Sequence, residues 1–283
     1  MKPGKASVSA QSLPENLFHY TSFHSFLGIL QSGTLQASAI QYLNDSQELS
    51  HAIDLARNCI QYHLPTPRNE VERRVREHLE VNLNAQRDLH IFQFSFSEAG
   101  DLLSQWRSYC PHSVGVCFSL DNRSLFDLPN FRIAQCIYDQ SSQFALTDPI
   151  IRSEIQHLTD FFSRALGTGV DPRSLETDWL DQLRAIAPLI KDSSFAEERE
   201  WRLVSHLISS SDPRFSFHPS PSFLVPHVNL RIPDQDGRLP VKQVIVGPNP
   251  HAQLAMKSVS LALSRYAQRG WSVTNSKIPY RSF

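Results

Sequence analysis

The chain has 283 residues, 41% of them hydrophobic and 19% charged, with a formal net charge of −1. That is enough apolar side chain for a sizeable core, in one large domain or two small ones. The near-neutral balance supplies no broad positive field, which argues against a dedicated duplex binder but leaves room for a nucleotide-sized ligand.

Residues 1–15 are polar and rich in Ser, Gly and Pro, the composition of a flexible leader, and they contain no apolar h-region of a signal peptide. No run approaches the ~18 apolar residues of a membrane span. The four cysteines, Cys59, Cys110, Cys117 and Cys136, form no C-x-x-C pair and stand at no zinc-finger spacing from histidine. They read as buried reduced thiols, and the chain as a soluble cytoplasmic protein.

The remainder, 16–283, reads as one α+β domain. Leu17–Ser22 is a short aromatic strand, and Ser22 is placed to cap a helix over Phe23–Gln31 that Gly33 ends. Leu35–Ala39 is extended. Asp45 and Glu48 form a capping signal for a helix over Gln47–Tyr62. Pro65 and Pro67 break it, and the charged segment Asn69–Gln86 is a solvated helical arm packed through Val71, Val75, Leu79 and Leu83. His90–Ser97 alternates, with Phe92, Phe94 and Phe96 on one face and Gln93, Ser95 and Ser97 on the other.

Leu102–Tyr109 is a short helix, and Gly115–Leu120 and Arg132–Tyr138 are strands. Residues 149–191 read as a helical insertion broken at Gly167, Gly169 and Pro172. Phe195–Ser205 reads as one strand. Residues 209–222 form a Pro-rich loop, followed by strands Phe223–Ile232 and Val241–Val246, a helix His251–Gln268 and a last strand Trp271–Ser276. Strands in series rather than regular βαβ repeats predict a split, mixed or antiparallel sheet.

The segment FAEEREWRLVS, residues 195–205, carries the sharpest chemistry. As a strand it places Glu198, Glu200 and Arg202 on one face and Arg199, Trp201 and Leu203 on the other. One reading is a solvated edge on which Arg202 neutralises the acids. The other is a site that faces developing positive charge, such as an oxocarbenium-like sugar. His19 is suited to a ribose hydroxyl and Tyr20 to stacking on a base; a satisfied core histidine beside an aromatic fits the same residues. Asn44, Asp45 and Glu48 cap a helix or line a polar cleft. Ser95 and Ser97, with Gln105, Trp106 and Tyr109 soon after, suit a cleft wall or a solvent face. No G-x-S-x-G, H-E-x-x-H, P-loop or G-x-G-x-x-G is present. A metal site is open only to distant residues such as Asp45, Glu48 and Glu200.

Together, His19-Tyr20-Thr21, Leu43-Asn44-Asp45 with Glu48, Phe94-Ser95-Phe96-Ser97, Ser104-Gln105-Trp106 with Tyr109, Glu198-x-Glu200-Trp201-Arg202, Gly247-Pro248 and Ser276-x-Ile278-Pro279-Tyr280-Arg281 resemble a bacterial and phage domain family of unknown function. The E-x-E-W-R block is its most specific part. The order of elements also resembles the ADP-ribosyltransferase superfamily. That resemblance implies a split mixed or antiparallel sheet with flanking helices and NAD as substrate. It implies Glu200 and Glu198 as the catalytic acids and His19 with Tyr20 and Thr21 on the nucleotide. Ser95, Ser97 and Tyr109 are candidates for the nicotinamide position, with Tyr20 or Tyr42 to do the stacking, and Arg202 either neutralises the acids or grips a pyrophosphate. The implied activity is ADP-ribosyl transfer to a macromolecule or NAD glycohydrolysis, in a toxin or anti-phage effector, with no metal and no membrane partner. The rivals are a metal-dependent nuclease or phosphodiesterase and a non-catalytic nucleotide-binding module.

Overall fold

The computed structural model describes residues 13–43, 48–85, 90–110, 114–126, 128–165, 178–232 and 238–279. Expectations for the leader before residue 13, for Asn44 and Asp45, for the break at Gly167, Gly169 and Pro172, and for Tyr280 and Arg281 lie outside these residues, as does the side chain of Glu48.

The elements in order are β1 (Phe18–Thr21), α1 (Phe23–Ser32), β2 (Thr34–Ala39), α2 (Glu48–His63), α3 (Glu70–Asn84), β3 (Phe92–Ser97), α4 (Leu103–Tyr109), β4 (Val116–Leu120), α5 (Arg123–Phe126), β5 (Phe131–Gln135), α6 (Gln140–Ala165), α7 (Trp179–Ile186), β6 (Glu200–Ser205), β7 (Phe215–Pro219), β8 (Leu224–Arg231), β9 (Val241–Val246), α8 (Ala252–Tyr266) and β10 (Ser272–Asn275). The fold is α+β with an open mixed sheet and flanking helices. Local chemistry accounts for many boundaries. The Ser22 hydroxyl accepts the Ser25 N–H at 3.0 Å to start α1, and Gly33 ends it at φ 68°. The Asn69 side chain likewise accepts the Glu72 N–H at 2.9 Å to start α3.

The structure corrects three boundaries. Helix α6 begins at Gln140, not 149, because the Asp139 carboxylate captures the Ser142 N–H at 2.8 Å; the helix then runs through Pro149. The expected Pro-rich loop contains β7, which pairs with β8 from Phe215↔Val228 to Pro219↔Leu224. It is an edge strand, where Pro is tolerated because one side of the backbone has no ladder to serve. The expected strand Phe195–Ser205 starts only at Glu200. Ser193–Glu198 form a 3-10 turn that closes at Arg199 in the left-handed region, φ 43°.

The sheet runs β10-β9-β4-β1-β3-β2-β8-β7, with β6 between β3 and β5. Among the paired strands of the described residues only β9–β10 is parallel, and α8 connects those two strands. One edge of β3 pairs with β6 from Gln93↔Val204 to Ser97↔Glu200. Its remaining contacts divide between two strands: β1 meets it at Phe18↔Ser97, and β2 at Ser38↔Gln93 and Ala39↔Phe92. Between those points β3 and β1 separate, so the sheet is split.

The sheet face carrying Phe92, Phe94, Phe96, Phe118, Trp201 and Leu203 forms the main core, closed by Phe26 and Leu30 of α1 and Val259 and Leu263 of α8. Helices α2, α3, α6 and α7 build a second core around Ile60, Leu79, Ile151, Leu158 and Trp179. The charged α3 belongs to this layer, burying Val75, Leu79 and Leu83. A third cluster joins Phe18 and Tyr20 to Trp106, Cys110 and Cys117.

Gly115 sits at a close crossing in that third cluster. A Cβ there would lie 2.3 Å from the Thr21 carbonyl oxygen and 2.8 Å from the Cys110 sulfur. Gly115→Ala is expected to destabilise the protein by roughly 2 kcal/mol or more, since the nearest atom is backbone and cannot swing aside. Urea unfolding followed by circular dichroism checks this, and an unchanged midpoint would show that the crossing is not tight.

Candidate active site

The polar face of β3 lies opposite the main core. Register places Ser97 beside Glu200 and Ser95 beside Arg202. The 3-10 turn before β6 then brings in Glu198, outside the strand. The Ser97 hydroxyl fixes that turn: it donates to the Glu198 carbonyl at 2.6 Å and accepts the Ala99 N–H at 3.0 Å. The acids therefore meet through a turn and not through strand alternation.

At the centre is a buried quartet. Lys191 Nζ donates at 2.5 Å to Glu198 Oε2 and at 2.5 Å to Glu200 Oε2. Arg202 donates from Nε to Glu200 Oε1 at 2.8 Å and from Nη2 to Glu200 Oε2 at 2.9 Å, and its Nη1 bonds the Pro188 carbonyl at 2.6 Å. Two acids and two bases sum to zero formal charge. Burial alone would push the Glu200 carboxyl up, but Arg202 and Lys191 outweigh it and hold the group down at about 2. Burial likewise opposes charge on Lys191, and Glu200 with Glu198 outweighs it, so the amine stays protonated. The Glu200 N–H donates to the Tyr138 hydroxyl at 2.8 Å.

The quartet borders two cavities. The smaller, about 40 Å³, is lined by His19, Tyr20, Ser95, Ser97, Gln105, Tyr109, Glu198 and Glu200 among others. The larger, about 650 Å³, shares Ser95, Tyr109 and Glu200 with it and extends past Lys191 and Arg202 to Gln93, Tyr42 and Phe223. The second volume lies in the usual range for a small-molecule site.

Most of the expected residues converge here. His19 shares the wall of the smaller cavity with the acids, and its ring packs toward the core. It turns into the split on the core side, stacked on Phe94 at 4.2 Å and edge-on to Phe118 at 5.6 Å, with its Nδ1 on the Ser95 carbonyl at 2.9 Å. Alternation along β1 forces this, because Phe18 and Tyr20 occupy the other face. Burial lowers its pKa to about 4 against the opposing pull of the Ser95 carbonyl, so the ring is neutral at pH 7.

The Tyr20 hydroxyl donates to the Ala99 carbonyl at 2.6 Å and accepts the Leu102 N–H at 2.9 Å, which makes it a brace for α4. Thr21 is buried, takes the Cys110 thiol on its carbonyl at 3.4 Å, and is absent from both cavity walls. Arg202 is 1% exposed with its guanidinium on Glu200 and Pro188. It pairs there with one of the acids and also stands on the wall of the larger cavity. Tyr109 stands between the cavities, its hydroxyl kept protonated by burial and then by the Glu198 charge. Of the metal set, Asp45 and the Glu48 side chain lie outside the described residues, and both Glu200 oxygens are occupied by cations.

Lys191 had no signal in the sequence. It closes an apolar run, seven residues before Glu198 and nine before Glu200, and the 3-10 turn between them brings the groups together. The same holds for Tyr138, whose hydroxyl serves a backbone group.

Lys191→Met is expected to cost roughly 3–5 kcal/mol, the scale for leaving a buried charge without its partner, and calorimetric Tm reads it. Acid sensitivity follows from the sign of the Glu200 shift. Its folded pKa lies below the ordinary 4.5, so its contribution is complete above about 4.5 and is lost as pH falls toward about 2. His19 acts earlier. Its folded pKa of about 4 lies below the ordinary 6.5, so stability falls as pH drops from about 6.5 to about 4. His19→Gln should flatten that upper part of the curve, a change on the order of 3 kcal/mol. An unchanged slope would show that His19 does not titrate on unfolding in that range.

Residues 105–203, from α4 into β6, match the family described as a protein of unknown function (DUF2971). The matched span contains Tyr109, Lys191, Glu198, Glu200 and Arg202. No curated protein and no solved structure matches the chain.

Proposed function

We propose that the chain is an NAD-using enzyme that breaks the nicotinamide–ribose bond and passes ADP-ribose to water or to a macromolecular acceptor. The observation that carries this reading is the carboxylate pair at the cavity junction. Glu198 Oε2 is bound by Lys191, while Oε1 has no partner among the described residues, and Glu198 lines the smaller cavity. A carboxylate with one open oxygen at a cavity wall is what a sugar turning cationic requires.

The roles follow from the pairing. Glu200 is expected from the resemblance to drive transfer, but its oxygens are held by Arg202 and Lys191. In the proposed arrangement Glu200 is the positioning residue. It sets Lys191, which aims Glu198, and Glu198 Oε1 faces the ribose. The bond from ribose C1′ to the nicotinamide nitrogen breaks, and its electron pair leaves with nicotinamide, which becomes neutral. Water or an acceptor hydroxyl then adds to C1′ and gives up its proton to Glu198 or to solvent. Tyr109, uncharged, closes the wall between the cavities, and the apolar rings around His19 keep bulk water from the split.

The complete pairing of Glu200 also favours a second reading, nucleotide binding without turnover. One assay separates them. The purified chain is incubated with NAD and free nicotinamide is measured. The proposal expects release above the blank, reduced roughly 100-fold in Glu198→Gln, with Tm close to the parent's because only one ion-pair contact weakens. Glu200→Gln is expected to lower both release and Tm. Nicotinamide production that is unaffected by Glu198→Gln, or absent in the parent, rejects the reading.

A further inference from the structure

The larger cavity has a feature that bond cleavage does not use. Gln93 is 3% exposed, and its Oε1 is buried without a hydrogen-bond partner among the described residues. A buried amide oxygen left unpaired is costly, and native folds leave few of them. Gln93 lies on the wall of the 650 Å³ cavity, so a donor entering that cavity comes alongside its amide. On the same wall stand Tyr42 and Phe223, exposed by 41% and 51%, with ring centroids 5.8 Å apart. Large exposed aromatics beside a polar cavity are suited to the face of a planar ring.

We infer that this cavity binds an adenine-type base, its exocyclic amino group donating to Gln93 Oε1 and its ring lying against Tyr42 and Phe223. Which end of a dinucleotide enters here rests on the proposed NAD reading. Gln93 and Ser97 are four residues apart on β3, about 13 Å along the strand, and Ser97 holds Glu198. Nicotinamide, bonded directly to the ribose at Glu198, does not reach Gln93. The adenosine end of the same molecule does.

The test uses calorimetric titration of the full chain with ADP-ribose and with its hypoxanthine counterpart, which carries a carbonyl in place of the amino group. The parent is expected to prefer ADP-ribose by roughly tenfold or more. Gln93→Met keeps the volume and removes the amide. It should abolish the preference and leave Tm unchanged or higher, because an unpaired buried polar group is gone; Gln93→Leu repeats the comparison. Equal binding of the two probes by the parent, no binding of either, or a preference that survives in Gln93→Met overturns the inference. A lowered Tm in both variants overturns it too, since the amide would then be bonded within the fold. So does a variant that loses affinity for nicotinamide mononucleotide and keeps it for ADP-ribose. Nicotinamide release without base preference would leave cleavage standing and remove this site. Base preference without release would support this site and remove cleavage.

Discussion

Charge placed in a protein interior must be matched there, and the Lys191–Glu198–Glu200–Arg202 quartet is where this chain meets that requirement. Burial works against charge on Glu200 and on Lys191, and each is held ionised by the opposite charges beside it. The constraint extends well beyond the four side chains. Lys191 must follow the short 3-10 segment Ala187–Leu189 after α7. Glu198 must leave the strand. Arg202 must find the Pro188 carbonyl on the same segment. The helical layer and the sheet are therefore tied at a polar joint, between two apolar cores that do not merge.

The same joint sets what the cavity can do. A cluster with no net charge does not attract anions by field alone, in keeping with the near-neutral chain. It offers local direction instead: one carboxylate saturated by cations, one with an oxygen open to the cavity. The split between β1 and β3 supplies the space. Where two strands part, backbone groups lose their ladder, and one of them, the Ser95 carbonyl, is satisfied by the His19 ring. A neutral histidine inside an aromatic cluster is thus part of how the sheet tolerates its own opening. That role keeps the ring half-buried and uncharged.

Particular residues show how far reading the chain could go. Phe92, Phe94 and Phe96 against Gln93, Ser95 and Ser97 declare a two-faced strand, and the structure has that strand with those faces. Ser22 and Gly33 mark the ends of α1 because caps act within a few residues. Glu198 and Glu200 read as neighbours, and neighbours they are, but the alternation that suggested it stops at Arg199. A left-handed residue with a side chain carries little local signature, so a continuous strand was the natural reading. In sequence the helical insertion reads from residue 149. The true start lies at Asp139, whose capping role depends on a hydrogen bond that composition does not display.

Local interactions decided what the sequence alone could determine: the two-faced strands, the capped helices, the α+β class, and a concentration of acids before Trp201. Those signals act over a turn of helix or a pleat of strand, so they survive in a linear reading. Only the tertiary structure decided that Lys191 joins the acids, that Arg202 is spent on Glu200, that His19 faces the core, and that Gln93 waits unpaired in a chamber with Tyr42 and Phe223. Each of those outcomes depends on which segments cross in space. Burial then turns the crossing into a strong preference, because a charge or amide removed from water must find its partner among whatever the fold has brought alongside.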